Sequence, residues 1–314
     1  MNIEELILKY ATLMPVRYNF KQKYLFINEI SKEYQILGYK TNAVADKKKG
    51  QRSLNLMIGD FKKCNTIILS NYDTPSLAVG RGVKYDPFNG TTSFANSFFS
   101  SYTPLLLGSI LLLAIYLFGF PKVDFENKFL YSISIVLLSI IVLIATWMFT
   151  RGIANKSNYN RNSSGVIANL MLADKLKNCK NIAYILTDMG CSNHKGDKML
   201  QTALPNTLKD KQVIILDCVG SDGRISAAYR GNKNLAATFI DNTKETKTYL
   251  KKLEEEDVRY SSANYYQKCT IISSGKKQNE MLLVEKTCTN EDNNINIDNL
   301  SKIVEALAKT LKNN

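Results

Sequence analysis

The sequence predicts an α/β protein with a mixed, mainly parallel central sheet flanked by helices, and with a two-helix transmembrane insertion. Near-continuous apolar runs at 182–188 and 212–220 are typical of strands buried on both faces. Segments with helical spacing alternate with such runs, which favours helices packed on a sheet. Two stretches without a charged residue, 87–121 and 129–150, predict the insertion.

The part before the apolar region begins with two segments whose apolar residues recur every three or four positions, as in helices. Gly38 ends the second of these helices. The run Lys47–Lys49 with Gly50 predicts a turn between two strands. The predicted elements are helices at 2–13 and 21–37 and strands at 41–46, 52–60 and 65–73.

The part after the apolar region alternates between buried strands and helices. Its first helix follows a turn of small residues, and Asp298 is placed to cap its last helix. A long polar helix is predicted between them, interrupted near Asp241. The predicted elements are helices at 164–176, 235–256 and 296–312 and strands at 182–188, 212–220, 268–275 and 281–287.

Two segments of the apolar region are long enough to cross a membrane. Residues 104–120 and 129–149 would form helices of roughly 25 and 32 Å, close to the ~30 Å thickness of the hydrocarbon layer. The alternative is a pair of buried core helices. The transmembrane reading divides the chain into a first part of the soluble domain at 1–100, the hairpin at 101–150 and a second part at 151–314.

The charge distribution predicts the orientation of this hairpin. The loop between the two spans carries no net charge, so the net charge of +13 belongs to the other side. Positive charge favours the cytoplasm, which predicts a cell-membrane protein with two spans whose soluble domain and both termini are cytoplasmic. The expected partner of the basic surface is the lipid bilayer. No basic stripe interleaved with aromatics indicates nucleic acid, so none is expected.

Short motifs occur in a recognisable order along the soluble part. They are ILGYKTNAV, Asn71-Tyr72-Asp73, the turn Asn160-Arg161-Asn162-Ser163-Ser164-Gly165, the strand end before Gly190-Cys191, Asp217-Cys218-Val219-Gly220, and Cys288-Thr289-Asn290-Glu291-Asp292. In this order the chain resembles the zinc-dependent aminopeptidase family, which includes bacterial leucyl aminopeptidases and glutamate carboxypeptidase-type enzymes. The resemblance implies the fold of that family, with the hairpin inserted beside its catalytic cleft.

The resemblance also implies that most metal ligands are replaced. Asn71 stands for the first zinc ligand, Arg161 for the bridging carboxylate, Gly190 and Cys191 for a Glu pair, and Cys288 for the last His, while Asp73 and Asp217 are retained. Arginine stays protonated and offers no lone pair. A cation about 4 Å from a divalent ion would cost roughly 8 kcal/mol at an effective dielectric near 20. No metal or other cofactor is therefore expected.

Without metals, the two retained carboxylates would face each other unneutralised. The guanidinium of Arg161 lies on a loop that the resemblance places in the same space, so it is expected to pair with Asp73, Asp217 or both. The alternative is that Arg161 points to solvent or to lipid headgroups.

These expectations predict a membrane-anchored, aminopeptidase-like pseudoenzyme that is catalytically inactive and binds a peptide or a membrane-protein partner as an accessory subunit. One alternative is an active peptidase, with a single zinc on Cys191, Asp217 and Cys288, perhaps joined by His194, or with Cys191 and His194 as nucleophile and base. A further alternative is a structural subunit of a membrane transporter or processing complex.

Overall fold

The computed structural model describes residues 1–46, 52–78, 84–115, 117, 128–205 and 207–312. The turn predicted at 47–50 lies outside these residues. The described part forms a single nine-stranded sheet with helices on both faces. Its strands are β1 (Thr41–Ala45), β2 (Leu54–Ile58), β3 (Thr66–Asn71), β4 (Ile182–Thr187), β5 (Gln212–Leu216), β6 (Arg224–Arg230), β7 (Tyr249–Lys252), β8 (Cys269–Gln278) and β9 (Met281–Leu283).

The centre of the sheet is parallel, whereas β1–β2, β2–β4, β6–β8 and β8–β9 are antiparallel pairs, and β7 at the far edge is again parallel to β6. The strand order is β1-β2-β4-β3-β5-β8-β6-β7, with β9 paired to β8. Strand β3 pairs in parallel with β4 on one side and with β5 on the other. Because parallel strands end at the same edge of a sheet, the residues that follow β3, β4 and β5 converge there. This confirms the predicted mixed α/β class.

Helices cover both faces of this sheet. The helices are α1 (Ile3–Ile7), α2 (Phe20–Ile36), α3 (Gly90–Ala114), α4 (Lys128–Arg151), α5 (Ser164–Lys175), α6 (Lys195–Ala203), α7 (Asn234–Thr243), α8 (Glu255–Val258) and α9 (Ile297–Lys312). One apolar core lies under α1, α2, α5, α7 and α9. A second core, on the other face, includes Leu200 of α6 and Val258 of α8.

Three local predictions need correction. The segment 235–256 is not one helix, because its middle forms β7, which pairs in parallel with the unpredicted strand β6. Here tertiary pairing overrides local helix propensity. The unpredicted helix α6 follows His194, which has a left-handed backbone (φ 52°). Helix α9 is capped by Asn296, whose Oδ1 accepts from the Asn299 N–H at 2.9 Å, rather than by Asp298.

The apolar region contributes α3 and α4. Helix α3 begins at an Asn89 side chain that accepts from the Thr92 N–H, and this helix packs against α8. Farther along, Leu106, Leu107 and Leu111 are more than 60% exposed. Among the described residues, no helix combines the length and apolarity needed to cross a membrane. The predicted spans are therefore not confirmed. Residues 116 and 118–120 at the end of the first span, and 121–127 of the connecting loop, lie outside the described residues.

Candidate functional site

A pocket opens where the carboxyl ends of β3, β4 and β5 converge. It has a volume of about 80 Å³ and is bordered on one side by the first turns of α3. Such a volume holds several water molecules or a small side chain. Its lining includes six of the eight positions singled out in the sequence: Asn71, Arg161, Gly190, Cys191, His194 and Asp217.

The guanidinium of Arg161 is the central charged group of this pocket. Its Nη1 donates to Asp217 Oδ1 at 2.7 Å, and both side chains are about nine-tenths buried. Burial alone would lower the pKa of Arg161, but Asp217 beside it raises this pKa above its usual value. The predicted ion pair with Asp217 is confirmed. No direct contact joins Arg161 to Asp73 among the described residues.

The backbone around Arg161 is fixed by a second carboxylate. Arg161 lies in a π-helical turn, Tyr159–Ser163, that precedes α5. Asp292 accepts from the N–H groups of Asn160 (2.8 Å) and Arg161 (3.1 Å). Burial raises the pKa of Asp292 to about 6 although these two N–H groups lower it. Asp292 thus orients the turn that aims the guanidinium.

Tyr85 contacts both members of the ion pair, and no motif in the sequence indicates it. Its ring lies 3.8 Å from the Arg161 guanidinium carbon, which is a cation–π contact. Its hydroxyl donates to Asp217 Oδ2 at 2.5 Å. Burial raises the pKa of this hydroxyl well above its usual value, so it remains a donor. Tyr85 is held by two backbone hydrogen bonds to Val284, a long-range contact without a local sequence signal.

Asp73 has a structural role in this site. Its two carboxylate oxygens accept from the N–H groups of Gly190 (3.0 Å) and Cys191 (3.1 Å). The loop after β4 is therefore tied to the end of β3 by hydrogen bonds to an ionised acceptor, which are stronger than neutral ones.

Asn71 occupies the space that a side chain at position 190 would need. A Cβ atom at Gly190 would lie 2.1 Å from Cγ of Asn71. The Asn71 amide is itself held, because its Oδ1 accepts from Thr187 Oγ1 (2.7 Å) and its Nδ2 donates to Ser262 Oγ (3.4 Å). The two positions where the resemblance implies metal ligands therefore exclude each other sterically.

We expect Gly190→Ala to destabilise the fold by about 1–3 kcal/mol, because the amide of Asn71 must leave its hydrogen bonds. The Asn71→Ala/Gly190→Ala double variant should recover part of this loss, since it removes the clash. Gly108→Ala is the control, because a Cβ there meets open space. Urea unfolding measures all three, and equal stability of Gly190→Ala and the native chain would contradict the steric argument.

The two candidate thiols are protonated at neutral pH. Burial and the neighbouring Asp73 raise the pKa of Cys191 well above its usual value. Burial raises the pKa of Cys288 to about 11. Cys191 Sγ accepts from Asn162 Nδ2 at 3.1 Å. Because the thiolate is the nucleophile and the metal ligand, neither thiol is activated here.

Cys191 should therefore react slowly with iodoacetamide at pH 7.5 even though it lines the pocket. Peptide mapping after timed alkylation should show the half-buried Cys179 modified first. Denatured protein is the control, because all six cysteines should then react at similar rates. Preferential alkylation of Cys191 in the folded protein would instead indicate an activated nucleophile.

His194 is not placed to serve as a base for Cys191. Its Nε2 lies 3.0 Å from the carbonyl oxygen of Tyr260, and its Nδ1 lies 3.2 Å from Asp197 Oδ2. Ser262 Oγ approaches the same Nδ1 at 3.3 Å. Serine and aspartate thus share one ring nitrogen, so the group does not form a nucleophile–base–acid relay. Cys191 and His194, the dyad considered as an alternative, both line the pocket, but no hydrogen bond joins them among the described residues.

The donor set does not fit a zinc centre. In the ranges that the structure describes, no three His, Cys, Asp or Glu side chains cluster as metal ligands. Asp217 lines the pocket and is a ligand position in the resemblance. Its carboxylate, however, is already paired with the Arg161 guanidinium at 2.7 Å. Zinc sites need thiolate, imidazole or carboxylate donors free to converge on one point.

Solved structures with the same fold share little sequence with this chain. The glutaminyl cyclase of Porphyromonas gingivalis has a TM-score of 0.57 at 12% identity, covering 99% of this chain and 95% of that one. A leucine aminopeptidase precursor from Bacteroides thetaiotaomicron has a TM-score of 0.57 at 13% identity, covering 100% and 97%. No protein-family model and no curated protein matches the sequence. The chain has the mixed α/β fold of leucine aminopeptidases and glutaminyl cyclases. The sequence resemblance implied the aminopeptidase fold, but it did not point to glutaminyl cyclases.

Proposed function

We propose that this chain is a catalytically inactive, aminopeptidase-like protein that binds a peptide or a segment of a membrane protein in the pocket. The observation that carries this proposal is the buried Arg161–Asp217 ion pair. A positive charge fixed against this carboxylate opposes the binding of a divalent ion by Coulomb repulsion. The same pair leaves a pocket that a peptide end can enter.

The position of α3 supports a partner at a membrane surface. Gly90, Ser93, Phe94 and Ser97 of this helix border the pocket, and its later turns expose leucines. Large exposed apolar faces mark contacts with lipid or with another protein. We propose that α3 and α4 anchor the domain in the cell membrane, with both termini in the cytoplasm and the pocket close to the bilayer.

Elemental analysis of detergent-purified protein tests the first part of the proposal. We expect zinc far below one ion per chain and no release of amino acids from peptide substrates. The Arg161→Asp variant is analysed beside it, because it replaces the opposing cation by a carboxylate. One tightly held zinc per native chain, lost in Asp217→Ala, together with peptide cleavage, would establish the active-peptidase alternative.

Cysteine accessibility in intact cells tests the membrane orientation. A membrane-impermeant thiol reagent should leave the cysteines of the soluble domain unlabelled until the cells are opened. Labelling from outside would reverse the orientation, and recovery of the chain without membranes would remove the anchor. A stable complex with transport proteins after mild extraction would instead favour the structural-subunit alternative.

A further inference from the structure

The guanidinium of Arg161 packs against the Tyr85 ring, but its hydrogen bonds within the described residues use only one of its nitrogen atoms. Its Nη1 donates to Asp217 Oδ1 and, at 3.4 Å, to Asn162 Oδ1. Its Nε and Nη2 atoms have no hydrogen-bond partner in the described part of the chain. Both atoms nevertheless keep some contact with solvent. The side chain is only 6% exposed and borders the pocket, so this second edge opens into it.

The open edge has the geometry of a carboxylate receptor. The N–H groups of Nε and Nη2 are parallel donors whose spacing matches the two oxygens of a carboxylate. Donors in a largely buried position gain more from a ligand acceptor than donors in open water. Asp217 also accepts from the Tyr85 hydroxyl, so Arg161 can bind a second acceptor without leaving this carboxylate unpaired.

A cationic ligand group would find fewer available acceptors in this pocket than a carboxylate finds donors. Asp73 is already occupied by two backbone N–H groups, and Asp217 by Arg161 and Tyr85. Asp86 also borders the pocket, and its Oδ2 has no hydrogen-bond partner in the described ranges, but this atom is sealed from solvent. The ligand group that the open atoms select is therefore an acceptor rather than an ammonium group.

The rest of the pocket wall favours an apolar residue beside the carboxylate. Phe94 of α3 stacks on Tyr260 with ring centroids 4.4 Å apart and planes at 15°. Ile215 and Ile271 contribute to the wall below. The volume of about 80 Å³ accommodates a carboxylate with a short side chain.

We infer that this pocket recognises a carboxylate, specifically the C-terminal carboxylate of an apolar peptide, through the Nε–Nη2 edge of Arg161. The inference rests on the proposed peptide-binding function and specifies which peptide end is bound. It makes the pocket a reader of chain ends that does not cleave them.

Isothermal titration with three synthetic peptides tests this inference on the full-length protein in detergent. The probes are N-acetyl-Leu-Leu-Ala with a free carboxylate, the same peptide as its amide, and the amide of N-acetyl-Leu-Leu-Asp. We expect the free acid to bind at least about tenfold more tightly than its amide, as for a charge-assisted hydrogen-bonded pair. Binding of the Asp amide equal to that of the free acid would assign the carboxylate to a side chain instead of the C-terminus.

The Arg161→Lys variant should lose this preference, because an ammonium group retains the charge beside Asp217 but not the paired donors. Arg230→Lys is the matched control, since Arg230 pairs with Glu255 outside the pocket and is partly exposed. If Arg161→Lys does not fold, the comparison of acid and amide on the native protein decides alone. Equal affinity for acid and amide, or no binding of any probe, overturns the inference. Equal affinity leaves the peptide-binding proposal intact, whereas stoichiometric zinc with cleavage removes that proposal.

Discussion

Arg161→Met is expected to lower the free energy of unfolding by about 3–5 kcal/mol. The substitution leaves Asp217 buried and charged without its cation, and breaking one side of a buried pair has this magnitude. The Arg161→Met/Asp217→Asn double variant should recover most of the loss, because the neutral amide can still accept from Tyr85. Urea unfolding at pH 7.5 of the native chain, Arg161→Met, Asp217→Asn and the double variant gives the four values needed for the cycle.

The control for this cycle is Arg230→Met. Arg230 pairs with Glu255 at 3.6 Å, and that glutamate is 95% exposed. Exposed pairs contribute about 0–1 kcal/mol, so this variant should be nearly as stable as the native chain. A loss at Arg161 no larger than the loss at Arg230 would show that the ion pair does not organise the pocket.

Lys23→Met is expected to have a similarly large effect, although this residue is outside the pocket. Lys23 Nζ lies 2.6 Å from Asp188 Oδ1, with both side chains almost fully buried. Asp188 also accepts from the N–H groups of Leu54 and Met189, and so fixes the loop that leads to Gly190. We expect a loss of about 3–5 kcal/mol at pH 7.5.

The loss at Lys23 should shrink in acid, and the sign follows from Asp188. Burial raises the pKa of Asp188 from 3.8 to about 6, and Lys23 opposes this rise. A carboxyl group whose folded-state pKa is raised stabilises the fold when protonated, and this contribution is lost as the pH rises through that pKa. Without Lys23 the pKa rises further, so the variant should approach the native stability near pH 5.

A matched lysine on the same helix controls for this variant. Lys32 of α2 pairs with Glu29, also at 2.6 Å, but both side chains are exposed. Lys32→Met should therefore change stability by less than about 1 kcal/mol at either pH. A pH-independent loss at Lys23 would mean that packing of its methylene groups, rather than its charge, is responsible.

Long apolar runs in the sequence made the centre of the fold predictable. Strands β3, β4 and β5 are almost continuously apolar, and their order places Asn71, Gly190 and Asp217 at one edge. Strand β7 was missed because YLKK has no apolar periodicity, and its structure depends on pairing with β6. Local patterns do not encode such partners.

The site was predictable only in part for the same reason. The order of the motifs placed Arg161 near the two retained carboxylates, but it did not decide between Asp73 and Asp217. Tyr85 was not predictable, because it reaches the pair through a bridge to Val284, far away in sequence. Nothing in its own neighbourhood indicates that contact. The left-handed turn at His194, which directs this ring toward Asp197, was equally hidden.

Because the Asn71 amide fills the space beside Gly190, the order in which residues of the pocket are redesigned also matters. A glutamate introduced at 190 alone would collide with the amide at 71 before it could contribute any chemistry. Histidine introduced at 71 alone would be larger than the amide and would face the same crowded loop. A route to new chemistry therefore starts by relocating the loop that begins at Asp188, and only then exchanges the two residues together. Libraries that vary one position at a time would never sample such a route.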